Sequence, residues 1–439
     1  MDLSARLRAI VRSTPRRELT YEPDTGRFEA SVDLDRVADV LGGRPVTTGF
    51  GRCLAIDRRY ESDRWHGDVR IGDCDLDDHG ALRLLDPSLP VQGIASGGAR
   101  TVFIDLETTG LSGGAGTVAF LVGCGYFDLG AFQVRQFLLT SYATERALLS
   151  ALTEFFGDTD LIVTYNGKTF DVPVMETRWS FHRLPMPDFS QDVPHFDMLH
   201  PARRLWSSRL SGNEGAASPG CRLTTLERDV LGYRRLGDVA GFEIPGRYFQ
   251  FLRTGDPRPL EPVLEHNRLD LVSLAAVTGH ALRLARTGDG ACRDEAEALA
   301  LGRVLERAQA FERAEACYRR AVTSSCVEVK GEALYRLGLR CRRDRRYEEA
   351  AAAWQAIIAL TRAASRRRRP AMVQLRQFAM EALAIHHEHR ERDLSAAREL
   401  ALFALTDDEP PPAKADGLRH RLARLDRKLA KNRNAQLFS

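Results

Sequence analysis

No cysteine in this 439-residue chain stands three positions from another. The eight, at 53, 74, 124, 221, 292, 317, 326 and 341, are scattered. Neither a Cys-x-x-Cys zinc site nor a disulfide framework is expected, and the pattern fits a reducing cytoplasm. Long apolar runs are missing as well, so nothing in the sequence spans a bilayer and no membrane partner is expected. Leu3, Leu7, Ile10 and Val11 form the stripe of a short amphipathic helix, without the continuous apolar stretch of a signal peptide. Charge of one sign is not in excess either: 63 basic against 60 acidic residues leave a net +3. The chain as a whole therefore does not advertise nucleic-acid binding, and any basic character is local. Apolar residues are plentiful at 44%, and 439 residues exceed a single core, so two or three domains are expected.

Carboxylates in particular places are what the chain does have. Thr101-Val-Phe-Ile-Asp-Leu-Glu-Thr-Thr-Gly110 puts two acids at the end of an apolar run that suits a buried strand. Side chains alternate along a strand, so Asp105 and Glu107 share one face. Two acids held together in a buried setting repel unless a cation lies between them. Gly110, Gly113, Gly114 and Gly116 follow, allowing backbone or substrate to pass close by. Asp-x-Glu triplets are common on solvated surfaces, but the apolar strand in front and the Thr-Thr-Gly behind favour the buried reading. A second apolar strand, Leu161-Ile-Val-Thr, leads through an Asn166-Gly turn to Asp171. In the third segment, Glu265-His-Asn-Arg-Leu-Asp270, His266 and Asp270 are four apart on one face of an amphipathic helix.

The ordered trio, Asp-x-Glu on a strand, Asn-x4-Asp after a strand and His-x3-Asp on a late helix, resembles the DEDD exonucleases of the ribonuclease H-like superfamily. It is most similar to the YprB-type ribonuclease H-like proteins of bacteria, in which such a domain is joined to helical repeats. The resemblance covers roughly residues 98–285. It implies an α/β ribonuclease H-like domain, a mixed sheet flanked by helices, followed by an all-α helical-repeat domain. Position by position, Asp105 and Glu107 match the first exonuclease motif, Asp171 the second and Asp270 the third. In that family the four carboxylates hold two magnesium or manganese ions that drive 3′–5′ hydrolysis of nucleic-acid phosphodiesters, DNA or RNA. The third motif departs from the family: a histidine, His266, stands at the Tyr-x3-Asp spacing of the tyrosine branch, whereas the histidine branch has His-x4-Asp.

Phosphodiester hydrolysis asks for these residue types on its own account, because a metal pair stabilises charge on both attacking and leaving oxygens. Hard divalent cations prefer carboxylate oxygens. Asp105 is the expected bridging ligand, with Glu107 and Asp270 completing one metal and Asp171 orienting the second through water. His266 is expected to be the general base or to position water, since imidazole titrates near neutral pH. The alternative is a helix histidine bonded to a neighbouring carbonyl. Among weaker substrate-side candidates, Asn166 shapes the loop before Asp171, and Lys168 is either a phosphate contact or a solvated lysine. Asp197, in His195-Phe-Asp-Met-Leu-His200, is expected to be structural or to act through a neighbour. Leu223 to Gly232 has helical spacing and a glycine stop, so it reads mostly as core. Arg247 to Arg253 mixes aromatics with arginines, which suits either base stacking or a packed helix.

We expect three parts along the chain: residues 1–95, polar and of opaque role; 98–285, the ribonuclease H-like domain; and 290–439, helical repeats. Within the second, strands at Asp105 to Gly110, Val118 to Phe127 and Phe132 to Leu139 precede a helix from Glu145 to Phe156, and Ser211 to Gly220 is a loop of low order. In the third, Gly302, Phe311, Ala314 and Tyr318 recur 36 positions later as Gly338, Tyr347, Ala350 and Trp354. A weaker copy follows at Ile385, Leu394, Ala397 and Ala401. This resembles the tetratricopeptide pattern, which implies stacked helix pairs and a groove for a protein partner, or simply a buttress for the domain before it. Arg366 to Arg369 and the basic helix from Arg419 to Arg433 are phosphate contacts or solvated charge. Two other functions fit the same residues: a non-catalytic nucleic-acid-binding scaffold, and a structure-specific endonuclease.

Overall fold

The computed structural model describes residues 32–76, 79–90, 99–110, 116–185, 193–210, 221–363, 370–406 and 412–437. The amphipathic stretch at 1–11, the loop at 211–220 and the arginine run 366–369 lie outside them. Its centre is a seven-stranded mixed sheet whose strands lie in the order β1 (Arg44–Thr48), β2 (Gly51–Glu61), β7 (Ala131–Leu138), β6 (Ala119–Asp128), β5 (Thr101–Thr108), β8 (Leu161–Thr164) and β9 (His195–Asp197). The three strands expected around the Asp-x-Glu pair are present: β5 (Thr101–Thr108), β6 (Ala119–Asp128) and β7 (Ala131–Leu138). They pair antiparallel in sequence, and Leu129 and Gly130, both at positive φ, close the β6–β7 hairpin. β8 (Leu161–Thr164) and β9 (His195–Asp197) then add in parallel beside β5.

The boundary drawn at residues 95–98 does not divide this sheet. β1 (Arg44–Thr48) and β2 (Gly51–Glu61) extend it, with β2 paired antiparallel to β7 from Leu54↔Leu138 to Glu61↔Ala131. β2 is buried at Cys53, Leu54, Ala55 and Ile56. A helix before it, α1 (Leu34–Leu41), is capped by Asp33 and ended by Gly42 in the left-handed conformation. After it come a small ladder of β3 (Trp65–His66) and β4 (Val69–Arg70), then α2 (His79–Leu85).

Helices cover both faces. On one, Val102, Ile104 and Leu106 of β5 meet α3 (Glu145–Phe156), α4 (Asp171–His182) and α7 (Ile244–Thr254) through Leu148, Trp179, Tyr248 and Phe251. On the other, Phe103, Val163 and Phe196 meet α5 (Leu199–Leu210) and the long α8 (Glu261–Thr287) through Trp206, Leu271 and Leu274. Between them runs a short turn of helix, α6 (Leu223–Leu226), which widens into a π turn over Glu227–Leu231. Each fully buried Leu or Phe contributes roughly 1.5–3 kcal/mol. A core on both sides can therefore hold β5 in place against repulsion between its acids.

The rest of the described chain is helical: α9 (Glu295–Arg307), α10 (Phe311–Ala321), α11 (Val327–Arg343), α12 (Tyr347–Ala363), α13 (Pro370–His386), α14 (Leu394–Thr406) and α15 (Pro412–Leu437). The recurring residues face each other. Gly302 lies against Tyr318 and Gly338 against Trp354, so a methyl at either glycine would overlap the ring. Ala314, Ala350 and Ala397 are buried at one recurring position, and Ala401 at that of Tyr318 and Trp354. α9 also packs on α5, and its Leu301 with Tyr318 of α10 belongs to the core beneath the sheet.

Candidate metal centre

β5 carries Asp105 and Glu107 on the same face as Phe103, the face that α8 covers. Both are partly exposed, where the buried run ends. Asp105 stands opposite Gly123 and Glu107 opposite Leu121, and the ladder is bulged between Glu107 and Thr108. From above, α8 presents His266, Asn267 and Asp270, while Leu271 and Leu274 bury its underside. Asp171 opens α4 just after β8, with its side chain buried. Acids from a central strand, a following helix and a late helix thus face one cleft beyond the ends of parallel strands, a general location for sites in open α/β sheets.

The charge coupling between them is direct. Burial first, then Asp270, Glu107 and Asp171, raise the Asp105 carboxyl well above the usual range. Glu107 is raised in the same way by burial, Asp270, Asp171 and Asp238. Burial, then the charge of Asp197, pushes Asp171 up to about 7, although backbone hydrogen bonds at Asp171 itself and at Leu106 pull it down. Such oxygen-rich, charge-starved sites fit hard divalent ions. The acids are not drawn into a closed cage, however. Among the described residues, the one triplet whose ligand atoms all lie within 4.8 Å of one another is Glu315, Cys341 and Glu349, in the helical region. There Arg346 already bonds both glutamates, so an ion is not required.

Residues that the sequence did not single out complete the cleft. Asn267 Nδ2 donates to Asp105 Oδ2 at 2.7 Å and to its carbonyl at 3.1 Å. Asn267 is a polar residue three after Leu264 and four before Leu271, on the apolar stripe of α8, which was the available signal. Arg235 donates from Nε and Nη2 to the buried Glu227, from Nη1 to Asp238 Oδ2 at 3.1 Å, and from Nη2 to Asp270 Oδ1. His266 Nδ1 lies 2.7 Å from Asp238 Oδ1, and its Nε2 lies 3.6 Å from Asp270 Oδ2. A carboxylate can only accept, so in the contact with Asp238 the donor is Nδ1. The carbonyl-bonded helix histidine weighed above is therefore not what is seen. For Arg235, Asp238 and Glu227 the sequence held no signal, since Arg-Arg after a glycine stop reads as solvated charge and Glu227 fell in a segment read as core.

The weaker candidates fall into place. Asn166 adopts φ 70°, its N–H donates to Asp197 Oδ1 at 2.8 Å, and its Oδ1 accepts from Thr169 Oγ1 at 2.8 Å. Asp197 also accepts from the N–H groups of Lys168 and Leu199, so it ties down the loop before Asp171. Lys168 is exposed, with Nζ 3.9 Å from Asp86. In α7, Tyr248 and Phe251 are core, whereas Phe249 and Arg253 face solvent.

A profile of the RNase_H superfamily matches residues 102–282, a span that contains all of these acids. The chain is also 33% identical over 332 residues, 74% of its own length and 74% of the relative's, to "Uncharacterized protein YprB" of Bacillus subtilis (strain 168). It belongs to the YprB family of ribonuclease H-like proteins. That membership suggests a nuclease that binds nucleic acid, and nucleases of this superfamily generally use divalent metals. No helix among the described residues is long and apolar enough to cross a membrane.

Proposed function

We propose that the chain is a metal-dependent 3′–5′ exonuclease working by a two-metal mechanism, with magnesium or manganese as the ions. What supports this is the gathering of four carboxylates from one strand and two helices, Asp105, Glu107, Asp171 and Asp270, near enough for their charges to raise the carboxyls of Asp105, Glu107 and Asp171. A scaffold that only bound nucleic acid would gain nothing from that repulsion. When bound, the ion pair supplies stabilisation of the negative charge that builds on the attacking and leaving oxygens. Asp105, Glu107, Asp270 and Asp171 would be the residues that hold the ions. His266, held by Asp238 at Nδ1, accepts a proton at Nε2 from the attacking water as the bond from phosphorus to the 3′ oxygen of the remaining strand breaks, that oxygen taking a proton from solvent. Lys168, on the loop before Asp171 and 3.9 Å from Asp86, contacts a substrate phosphate in this reading, which its exposure supports.

The test is incubation of the purified protein with 5′-labelled single-stranded and duplex DNA and RNA, in magnesium, manganese or EDTA. A ladder that shortens from the 3′ end and vanishes in EDTA is expected. Internal cuts would make the protein an endonuclease, and labelled strands left intact in both metals would leave the scaffold reading.

A further inference from the structure

We propose that Arg235 is a positioning residue for the metal site: its guanidinium holds Oδ1 of Asp270 and, through Asp238, aims His266, so that Asp270 presents only Oδ2 to a divalent ion. This rests on the metal-site reading above.

The Arg235 side chain is 6% exposed, and all three nitrogens of its guanidinium are engaged. Glu227 takes Nε and Nη2 as a fork, the arrangement in which arginine binds a carboxylate with the most geometric definition. That fork leaves Nη1 for Asp238 and the second hydrogen of Nη2 for Asp270. Arg235 thereby fixes two acids that belong to different elements, one in the loop before α7 and one on α8. Asp238 passes the constraint on to His266 at 2.7 Å.

The backbone that carries Arg235 is itself pinned from behind. Gly232, at φ 69°, turns the chain out of the π turn, and Tyr233 N–H bonds the Glu227 carbonyl at 2.8 Å. The β3–β4 ladder supports this turn. Asp68 N–H donates to Leu231 at 2.7 Å, and a methyl at Gly67 would collide with the same carbonyl. The His66 ring lies 3.9 Å from that of Tyr233, and its Nε2 is 2.8 Å from Ser273 Oγ on α8. Residues 65–70 thus acquire a role: they brace the Arg235 turn against the helix that carries Asp270. An arginine held this firmly does not leave when an ion arrives.

A rival account makes Arg235 a plug that occupies the acids until metal displaces it, and the two differ in sign. Full-length wild type, Arg235→Lys and Arg235→Gln would be titrated with Mn2+ in the absence of nucleic acid, reading free Mn2+ by electron paramagnetic resonance. Thermal unfolding of each metal-free protein would run alongside. Lysine keeps the charge but cannot form the fork, so Arg235→Lys should bind Mn2+ roughly ten- to a hundredfold more weakly, the usual loss when a group orienting a ligand is removed. Unchanged or tighter binding by folded Arg235→Lys overturns the proposal. Tighter binding by both variants establishes the plug. Should Arg235→Gln fail to fold, the lysine variant still decides. Wild type that binds no Mn2+ overturns the metal-site reading and this proposal with it, whereas wild-type binding with an unaffected lysine variant overturns this proposal alone.

Discussion

Asn267 of α8 spans the gap to β5 and donates from one amide nitrogen to both the carboxylate and the carbonyl of Asp105, at 2.7 and 3.1 Å. Its own Oδ1 accepts from Gln136 Nε2 at 2.8 Å, and Gln136 donates in turn to the Leu264 carbonyl at 2.9 Å. A neutral amide thus does part of the work of a cation, lowering the cost of a charge that burial and three neighbouring acids oppose. It also docks the helix bearing Asp270 on the strand bearing Asp105.

Gly123 makes room for that amide. It pairs with Asp105 across the β5–β6 ladder, and a Cβ there would overlap the head of Asn267. Gly123→Ala should push Asn267 off Asp105 and cost about 1–3 kcal/mol of stability, the usual scale of overpacking. Turnover should fall at least tenfold in protein that is still folded by circular dichroism. Turnover equal to wild type would separate the Asn267 contact from function.

Asp105→Asn removes charge at constant shape. The raised carboxyl of Asp105 gives the metal-free protein stability that is complete below the unfolded value, about 3.9, and is lost as pH rises through the folded one. The variant should therefore unfold at higher temperature than wild type near neutral pH in EDTA, with the gap closing as pH falls towards 4. Asp171→Asn should behave likewise over a window from about 3.9 to about 7. Added magnesium should stabilise wild type and leave Asp105→Asn unmoved. An Asp105→Asn protein less stable than wild type in EDTA at neutral pH would mean that the acids do not repel.

The strands around Asp105 were legible because alternation and glycine punctuation are local signals, and the 36-residue recurrence was legible because each helix pair repeats one packing problem. The convergence of Asp105, Asp171 and Asp270 became readable through family resemblance, since no local rule joins segments so far apart. What escaped were groups defined by partners rather than by pattern. Arg235 looks like any solvated arginine until Glu227, eight residues before it, is seen folded back by Gly232. β1 and β2 were read apart from the sheet because the pairing of β2 with β7, across 70 to 84 residues, leaves no trace in a short window. Of the basic terminal helix, Arg421, Arg424 and Lys428 close on the fully buried side chain of Glu388. Part of that charge run holds the helices together.

His266→Ala should slow turnover by roughly a hundredfold or more, the scale of a general base, with Mn2+ affinity barely changed. Loss of metal binding would instead make His266 a ligand. His266→Tyr is the sharper variant, because the spacing to Asp270 is that of the tyrosine branch. Substantial activity there, measured on the same substrate, would favour orienting water over accepting its proton.

Glu388 offers a pH test far from the acids of the cleft. Burial alone pushes its carboxyl up, but Lys428 and Arg424 outweigh that and bring it to about 2. A depressed folded value means stability that is present above the unfolded value of about 4.3 and is lost as pH falls through the folded one. Glu388→Gln should therefore be most destabilised at neutral pH, and its deficit in unfolding temperature should shrink between pH 4.3 and 2. A deficit independent of pH would assign the loss to packing of the turn after α13 against α15 and not to the charge.

The last prediction concerns where the chain can be cut. All the acids lie before residue 271, so the chemistry should not need every helix after α8. A chain ending near Thr287, at the end of α8, would be the simplest division by sequence. The structure argues against it: Leu301, Leu305 and Tyr318 share the core beneath the sheet, and Trp206 Nε1 of α5 donates to Glu297 Oε1 of α9 at 2.9 Å. Cutting at 287 would bare that face and leave the Trp206 N–H without its partner, a cost of about 1–3 kcal/mol in addition to the lost apolar burial. A chain ending near Ser324 keeps α9 and α10 and exposes chiefly their contact with α11. It should be monodisperse by size-exclusion chromatography and retain phosphodiester hydrolysis, whereas the chain ending near 287 should aggregate. If the shorter chain proves folded and active, α9 and α10 are dispensable, and the continuous core has no part in holding Asp270 over the sheet.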